Sequence, residues 1–529
     1  MLDCVLSGGR ILNGSGEPEF STDVAIHGDR IARIGSCADL DARARIDCAN
    51  LVIAPGFIDM HGHSDELLFV NPTAESKVRQ GVTTEIGGNC GSSPGPLSDQ
   101  EYADRRARLH ERYGFDLGWR DLDGFFSALE RSGTALNFCC LVGLGNTRDA
   151  VGGVDARPLT REALARECRL VAEACEQGAI GVSSGLIYPP GRFADANELT
   201  SLARAAATAG SPLYATHLRS EGDDLLDALD EALEIGRHAG VGVQLSHHKA
   251  SGKKNWGKVQ FSLERVERAR AGGLDVALDQ YPYKASSTGL DAILPSDVNV
   301  GSRAEVVARL DDPVYAALTA ARLELEWGGR WNEVYVSTVS STRNKPAEGK
   351  SMEEIAREAG RTPAAAAVRL LAEERLDVSA IFFTMCEADV QTVLSHDRTC
   401  IGSDASARSS SGPTSAGKPH PRAYGTFPRI FKRYVRDLRL LTLAEAVRRA
   451  TWLPASRLGL RRRGRIAEDW YADLVAFDPA RIADTSTYAD PHRYPIGVRH
   501  VFVNGIPVVR DERTTGNLPG KALRRGRDL

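Results

Sequence analysis

Eight short apolar runs, most of them followed by a stretch rich in Ala, Leu, Arg and Glu, dominate the middle of this chain. They centre on Val52–Ile58, Val82–Ile86, Asn137–Val142, Ile180–Ser183, Leu213–Thr216, Val243–Ser246, Val276–Asp279 and Thr399–Gly402. Runs of this length suit buried strands. The stretches Leu164–Gln177, Glu198–Ala209 and Asp223–Ala239 repeat apolar residues at three- and four-residue steps, the period of a helix. Such alternation implies parallel strands joined by crossover helices. Eight units predict an α/β fold, a TIM-like (β/α)8 barrel with its active site at the C-terminal strand ends.

Those ends carry chemistry. Asp59-Met60-His61-Gly62-His63 follows the first run, and strand alternation points His61 and His63 the same way. An H-x-H pair alone also occurs as two solvated histidines. Its company decides the reading: Cys90 follows the second run, His217 the fifth, His247 the sixth and Asp404 the eighth. Imidazole, thiolate and carboxylate donors at five strand ends together suit zinc, a borderline-soft cation.

Both ends of the chain read as β-structure. Short runs such as Asp23–His27 and Ile31–Ile34 alternate with turns near the start, and Val498–Val503, Asn504-Gly505, Ile506–Val509 reads as strand, tight turn, strand near the end. Neither end is large enough to hold a core alone. We therefore expect residues 1–50 and 465–529 to pair into a small β-sandwich domain beside a barrel of residues 51–464. The long gap between the seventh and eighth runs contains a strand-like Val334–Val339 and a helical Ser351–Glu358. It predicts a folded insertion at about 296–395 rather than a loop. Ser409-Ser410-Ser411-Gly412-Pro413, close to Asp404, is a lid candidate.

Composition excludes several classes. Lys plus Arg (66) nearly balance Asp plus Glu (70) for a formal charge of −4, which offers no handle for nucleic acid. The basic run Arg461-Arg462-Arg463-Gly464-Arg465 lacks interleaved aromatics and reads as a solvated turn. There is no apolar stretch long enough to span a membrane, and the start of the chain carries no secretory pattern. Ten cysteines in so long a chain do not form a secreted disulfide framework. A soluble, cytoplasmic enzyme is the expectation.

At this point the residues resemble a known group. The barrel, the H-x-H after strand one and the Asp after strand eight are similar to the amidohydrolase superfamily. Gly81-Val82-Thr83-Thr84, Gly88-Asn89-Cys90-Gly91, Gly185-Leu186-Ile187-Tyr188-Pro189-Pro190-Gly191, His217-Leu218-Arg219, Ser246-His247-His248-Lys249, Tyr281-Pro282-Tyr283 and His420-Pro421-Arg422 resemble its D-aminoacylase branch, the N-acyl-D-amino-acid deacylases, over nearly the whole chain. Many members of the superfamily bridge metals with a carboxylated lysine from strand four; this branch uses a cysteine from strand two. The resemblance implies one tight zinc on Cys90, His217 and His247, with a second, weaker position near His61 and His63. It makes Asp404 the catalytic acid–base, which also faces the metals. It places Lys249, Tyr281, Ser287 and Arg422 on the substrate's α-carboxylate and Tyr188 on the scissile carbonyl. The implied partner is a small N-acyl amino acid.

These residue types fit amide hydrolysis. Zinc polarises a carbonyl and acidifies water, a carboxylate moves the proton, and a phenol stabilises the oxyanion. A guanidinium matches a planar carboxylate bidentately. Alternation puts Lys249 on the face of His247 and turns His248 away, so His248 reads as a packed histidine. His27, His110, His238, His492 and His500 read as structural, as do Cys139 and Cys140. Asp65 either orients a ligand or caps the next helix. A cyclic-amide hydrolase of hydantoinase or dihydroorotase type is the rival reading, and a non-catalytic barrel scaffold the other. Between Ala179 and Tyr188 there is no strand-four lysine, and no ligand position is lost. The segment Thr288–Gly301 holds Asp291 and Asp297 and no cation, which disfavours acidic side chains, although Lys284 just precedes it.

Overall fold

The computed structural model describes residues 1–529. Its central strands are Phe57–Asp59, Val82–Gly87, Asn137–Cys140 continuing into Val142–Gly143, Val182–Gly185, Leu213–His217, Gly242–Leu245, Val276–Gln280 and Thr399–Ile401. Each pairs in parallel with its predecessor in this series, and the break at Leu141 divides the third. The last returns to the first: Met60 N donates to Ile401 O at 3.2 Å and Asp404 N to His61 O at 2.7 Å. The arrangement is of the TIM-barrel type, and all of these strands are buried almost throughout because helices cover them.

The first apolar run does not form one strand. Val52–Pro55 pairs with Leu474–Phe477 and with the strand Cys4–Ile11, whereas Phe57–Asp59 pairs with Val82–Gly87. The chain changes sheets at Pro55-Gly56. A Cβ at Gly56 would lie 2.2 Å from the Thr83 side chain, so only glycine passes that close. Hydrogen bonding then joins strands from both ends of the chain into one nine-stranded sheet, running from Arg513–Thr514 through Leu474–Phe477 and Val52–Pro55 to Arg30–Ile34.

Helices start where the sequence offers caps. Thr160 accepts from Ala163 N and Asp195 from Glu198 N, opening the helices Arg161–Glu176 and Ala196–Thr208. Ser351 and Glu354 form a reciprocal capping box for Met352–Ala359. That helix belongs to the segment after the seventh central strand, where Ser286–Gly289, Val334–Val339 and Val378–Phe382 make an antiparallel sheet over a separate apolar cluster of 24 residues. The sheet starts earlier than the gap in apolar runs suggested. The helix Glu387–Ser395 packs instead on the layer around the central strands, through Val390, Val393 and Leu394.

Phe57 ties these layers together. Fully buried, it stacks on Phe427 at 5.5 Å and Phe431 at 5.2 Å and meets Phe477 of the terminal sheet at 6.1 Å. Phe57→Ala leaves a cavity among three rings and is expected to cost roughly 3–5 kcal/mol, read as a lower urea midpoint with an unchanged slope.

Candidate active site

Cys90 lies in the loop after the second central strand, where Gly88, Cys90 and Gly91 all have positive φ (69°, 53° and 78°). A side chain at Gly91 would meet Gly185 N at 2.7 Å, so the loop passes directly over the fourth strand. This turn aims the Cys90 thiol inward. Its Sγ is 3.3 Å from His61 Nε2 and 3.4 Å from His247 Nε2. Burial alone would raise the thiol; the His61 and His247 imidazoles beside it outweigh that and hold it well below its ordinary range.

Asp404 and His247 share the strained backbone, with φ of 50° and 37°. Asp404 Oδ1 is 3.1 Å from His63 Nε2 and 3.8 Å from His61 Nε2, while Oδ2 is 2.8 Å from Arg422 Nη1. Burial opposes its charge, but Arg422, His247 and His63 keep the carboxyl well below its usual range. Arg422 stacks over the Tyr281 ring at 4.6 Å and donates through Nη2 to Ser287 O at 2.9 Å. Its Nη1 approaches Asp404 off the hydrogen-bond direction, leaving N–H capacity at the cavity.

At this site three sets of ligand atoms lie within 4.8 Å of one another: His61, Cys90 and His247; His61, His63 and Asp404; and His217, Glu221 and His247. Cys90, His217 and His247, expected as the tight set, are not one of them. His217 stands beside them, its ring 4.4 Å from that of His247 and 5.1 Å from that of Tyr188. Both its ring nitrogens are buried without any hydrogen-bond partner. Orphaned nitrogens beside a thiolate and two further imidazoles fit a soft, nitrogen- and sulfur-binding cation.

The remaining expected residues divide. Tyr188, Ser287, Lys249 and Arg422 line a cavity of about 640 Å³ above this cluster. Tyr188 Oη is 2.8 Å from Thr288 Oγ1. Tyr281 does not line it. Its ring lies behind, under Arg422 and 5.7 Å from Lys249 Nζ, and its hydroxyl faces Met385. Lys249 is already engaged, by Glu221 and by His247 Nδ1 at 2.8 Å. His248 turns away to Ser262 Oγ at 2.7 Å. Asp65 caps no helix; it accepts from Gly88 N at 2.8 Å and so braces the Cys90 loop.

A family model described as the amidohydrolase family matches residues 141–509. The N-acyl-D-glutamate deacylase of Alcaligenes xylosoxydans xylosoxydans is 38% identical over 99% of this chain and 97% of its own length. The D-aminoacylase of the same organism is 36% identical over 99% and 98%. The chain belongs to the D-aminoacylase branch of the amidohydrolase family. A crystal structure of N-acyl-D-glutamate deacylase from Bordetella bronchiseptica, complexed with zinc and a phosphonate mimic of the reaction's tetrahedral intermediate, is 34% identical, covers 99% of both chains and superposes with a TM-score of 0.83.

Two residues packed against this cluster escaped the sequence reading. Asp279, at the end of the seventh strand, lies 3.1 Å from His61 Nδ1 and accepts from His247 N at 2.8 Å. Its position at a strand end, the criterion that selected Asp404, was available. Glu221 lies 3.0 Å from His247 Nδ1 and also holds Lys249. No strand or helix period led from His217 to it.

Cys90 stands apart from the buried thiols: burial pushes Cys4 and Cys175 up to about 11 and Cys48, Cys139 and Cys400 up to about 12. The thiolate is the nucleophile and persists above a depressed pKa. In metal-stripped protein at pH 6, iodoacetamide should therefore modify Cys90 first by peptide mass spectrometry, and added zinc should protect it. Equal labelling of Cys139 would contradict the assignment.

Proposed function

We propose that this chain is a zinc-dependent deacylase that hydrolyses N-acyl-D-amino acids to a carboxylate and a free D-amino acid. One observation carries the reading: an ionised Asp404 and a carboxylate-matching Arg422, 2.8 Å apart, face the same cavity as Cys90, His63, His217 and His247. The names of relatives matched along 99% of the chain support it. In this reading Cys90, His217 and His247 hold the tight zinc, and His61, His63 and Asp404 form a second, weaker position. A bound zinc supplies Lewis acidity, making an amide carbonyl more electrophilic and water more acidic.

The chain's own groups do the rest. Asp404 accepts the proton of the attacking water and returns it to the leaving amine. Tyr188 Oη, held by Thr288, donates to the carbonyl oxygen as it gains charge. Arg422 takes the α-carboxylate, with Ser287 beside it and Tyr281 supporting the guanidinium from behind. Lys249, compensated by Glu221, adds less charge than its type suggests. Two fixed points, carboxylate and carbonyl, leave a third direction for the side chain. The two hands exchange the side chain and the α-hydrogen there, so a cavity wall such as that of Thr288 and Ile293 meets them differently. Lys284 is exposed and does not line the cavity, so it offers no cation to an acidic side chain; Arg105 and Arg408 do line it.

A cyclic-amide hydrolase remains the weaker reading, since the fourth strand reads Val182-Ser183-Ser184-Gly185 with no lysine. The same proposal takes the parallel strands as one closed (β/α)8 barrel of residues 51–464. The nine-stranded sheet then belongs to the small β-sandwich domain of residues 1–50 and 465–529, extended by Val52–Pro55, and about 296–395 is an inserted subdomain. No helix is long and apolar enough to cross a membrane. With ten free cysteines, this supports a cytoplasmic enzyme whose partner is its small substrate.

The test is turnover of N-acetyl-D- and N-acetyl-L-amino acids with metal content measured on the same sample. D-selective hydrolysis that tracks zinc supports the reading, and hydrolysis of dihydropyrimidines alone would overturn it. Asp404→Asn should fold but lose kcat by about 10²–10⁴, the usual worth of a positioned acid–base. Turnover equal to wild type would remove Asp404 from that role.

A further inference from the structure

Below the cluster lies a charged group that the chemistry above does not use. Lys77, on the short helix Glu75–Val78, has no exposed surface, nor do Asp59 and Glu85 beside it. Its ammonium donates to Asp59 Oδ2 at 2.7 Å, Ser403 Oγ at 2.9 Å and Ala405 O at 2.7 Å, which spends all three hydrogens. Glu85 Oε2 is 3.4 Å away.

Each partner flanks a functional residue. Asp59 stands two positions before His61 and accepts from His61 N at 3.3 Å. Ser403 and Ala405 are the immediate neighbours of Asp404. Asp59 also accepts from Ser403 N at 2.8 Å and Ser403 Oγ at 2.6 Å, linking the two segments a second time. Ala405 O receives His63 N at 3.1 Å as well as Lys77. On the far side of the histidine pair, Glu85 accepts from Ser64 N at 3.0 Å and Ser64 Oγ at 2.8 Å, and Ala407 N donates to Ser64 Oγ at 2.7 Å.

We propose that Lys77 is a positioning residue, whose buried ammonium locks the His61–His63 segment and the Asp404 loop to one another. The proposal rests on the deacylase reading for the role of Asp404. A buried ion cluster is poor evidence for stability, because apolar side chains of similar volume commonly do as well. Geometry is what an apolar residue could not supply here. Asp404 has a φ of 50°, a conformation that an unrestrained aspartate leaves easily, and the residue on each side of it is held through its backbone, Ser403 N by Asp59 and Ala405 O by Lys77. Without the clamp, the carboxylate and the two imidazoles lose their common reference.

The test uses the full chain and three variants. Lys77→Met keeps the length and removes the charge. Asp59→Asn/Lys77→Met removes one charge of each sign and carries the comparison where the single variant folds poorly. Val171→Ala, in the buried face of the helix Arg161–Glu176, provides a variant destabilised away from the site. The clamp predicts a kcat loss of about 10–100-fold in both Lys77 variants, the usual effect of groups that orient ligands, with KM within about threefold because Arg422 and Ser287 are untouched. In equilibrium dialysis of metal-free protein against zinc, the weaker position should lose about tenfold or more in affinity and the tight one should not change.

A kcat within twofold of wild type in both variants would overturn the proposal, as would a loss no greater than that of Val171→Ala at matched melting temperature. If the protein hydrolysed no N-acyl-D-amino acid at all, the dialysis would still decide. Weakened zinc at the His61–His63 position supports the clamp, and unchanged binding refutes it.

Discussion

Two anions in one buried pocket are the constraint on which this structure depends. Burial disfavours both the Cys90 thiolate and the Asp404 carboxylate, and each persists because cations or polarised donors face it. His61 and His247 flank the sulfur at 3.3 and 3.4 Å; Arg422 and His63 flank the carboxylate at 2.8 and 3.1 Å. Such pairing fixes where the backbone must run. Cys90, His247 and Asp404 all adopt positive φ, a cost that local sequence alone would not sustain and that the surrounding strands over-determine.

Support for those anions comes in layers. Asp279 and Glu221 sit behind the imidazoles, and Tyr281 lies under Arg422. The parallel strands bring these groups from distant parts of the chain to one end, and the segment after the seventh strand covers that end with Ile293, Trp327 and Phe382 on the cavity wall. Metal-type ligands therefore face a space partly shielded from water, in which polar contacts to a substrate are stronger than at an open surface. The ends of the parallel strands carry the ligand-type residues, and the segment after the seventh strand walls the cavity above them.

Much of this was legible in the sequence, for identifiable reasons. Strand runs such as Leu213–His217 are continuous and apolar because both faces of a parallel sheet are buried, and ligand-type residues at their ends stand out against that background. The reading failed where a local pattern served two structures at once. Val52–Ile58 is one apolar run but two strands, divided by a glycine whose necessity lies in Thr83, far along the chain. Tyr281 was assigned to the substrate by resemblance, and only three-dimensional packing shows it behind Arg422. Glu221 lay in a loop without a period to point to it. The left-handed backbone of Cys90 leaves no trace in residue type, because Cys is not a turn former, whereas Asp404 and His247 are of types that visit it more often.

X-ray absorption at the zinc edge tests the central claim most directly. Zinc-loaded protein should show one sulfur at about 2.3 Å together with nitrogen or oxygen neighbours at about 2.0–2.1 Å, the signature of a thiolate bound among imidazoles. A first shell of nitrogen and oxygen alone would mean that Cys90 does not hold the metal, and would contradict the account built on it.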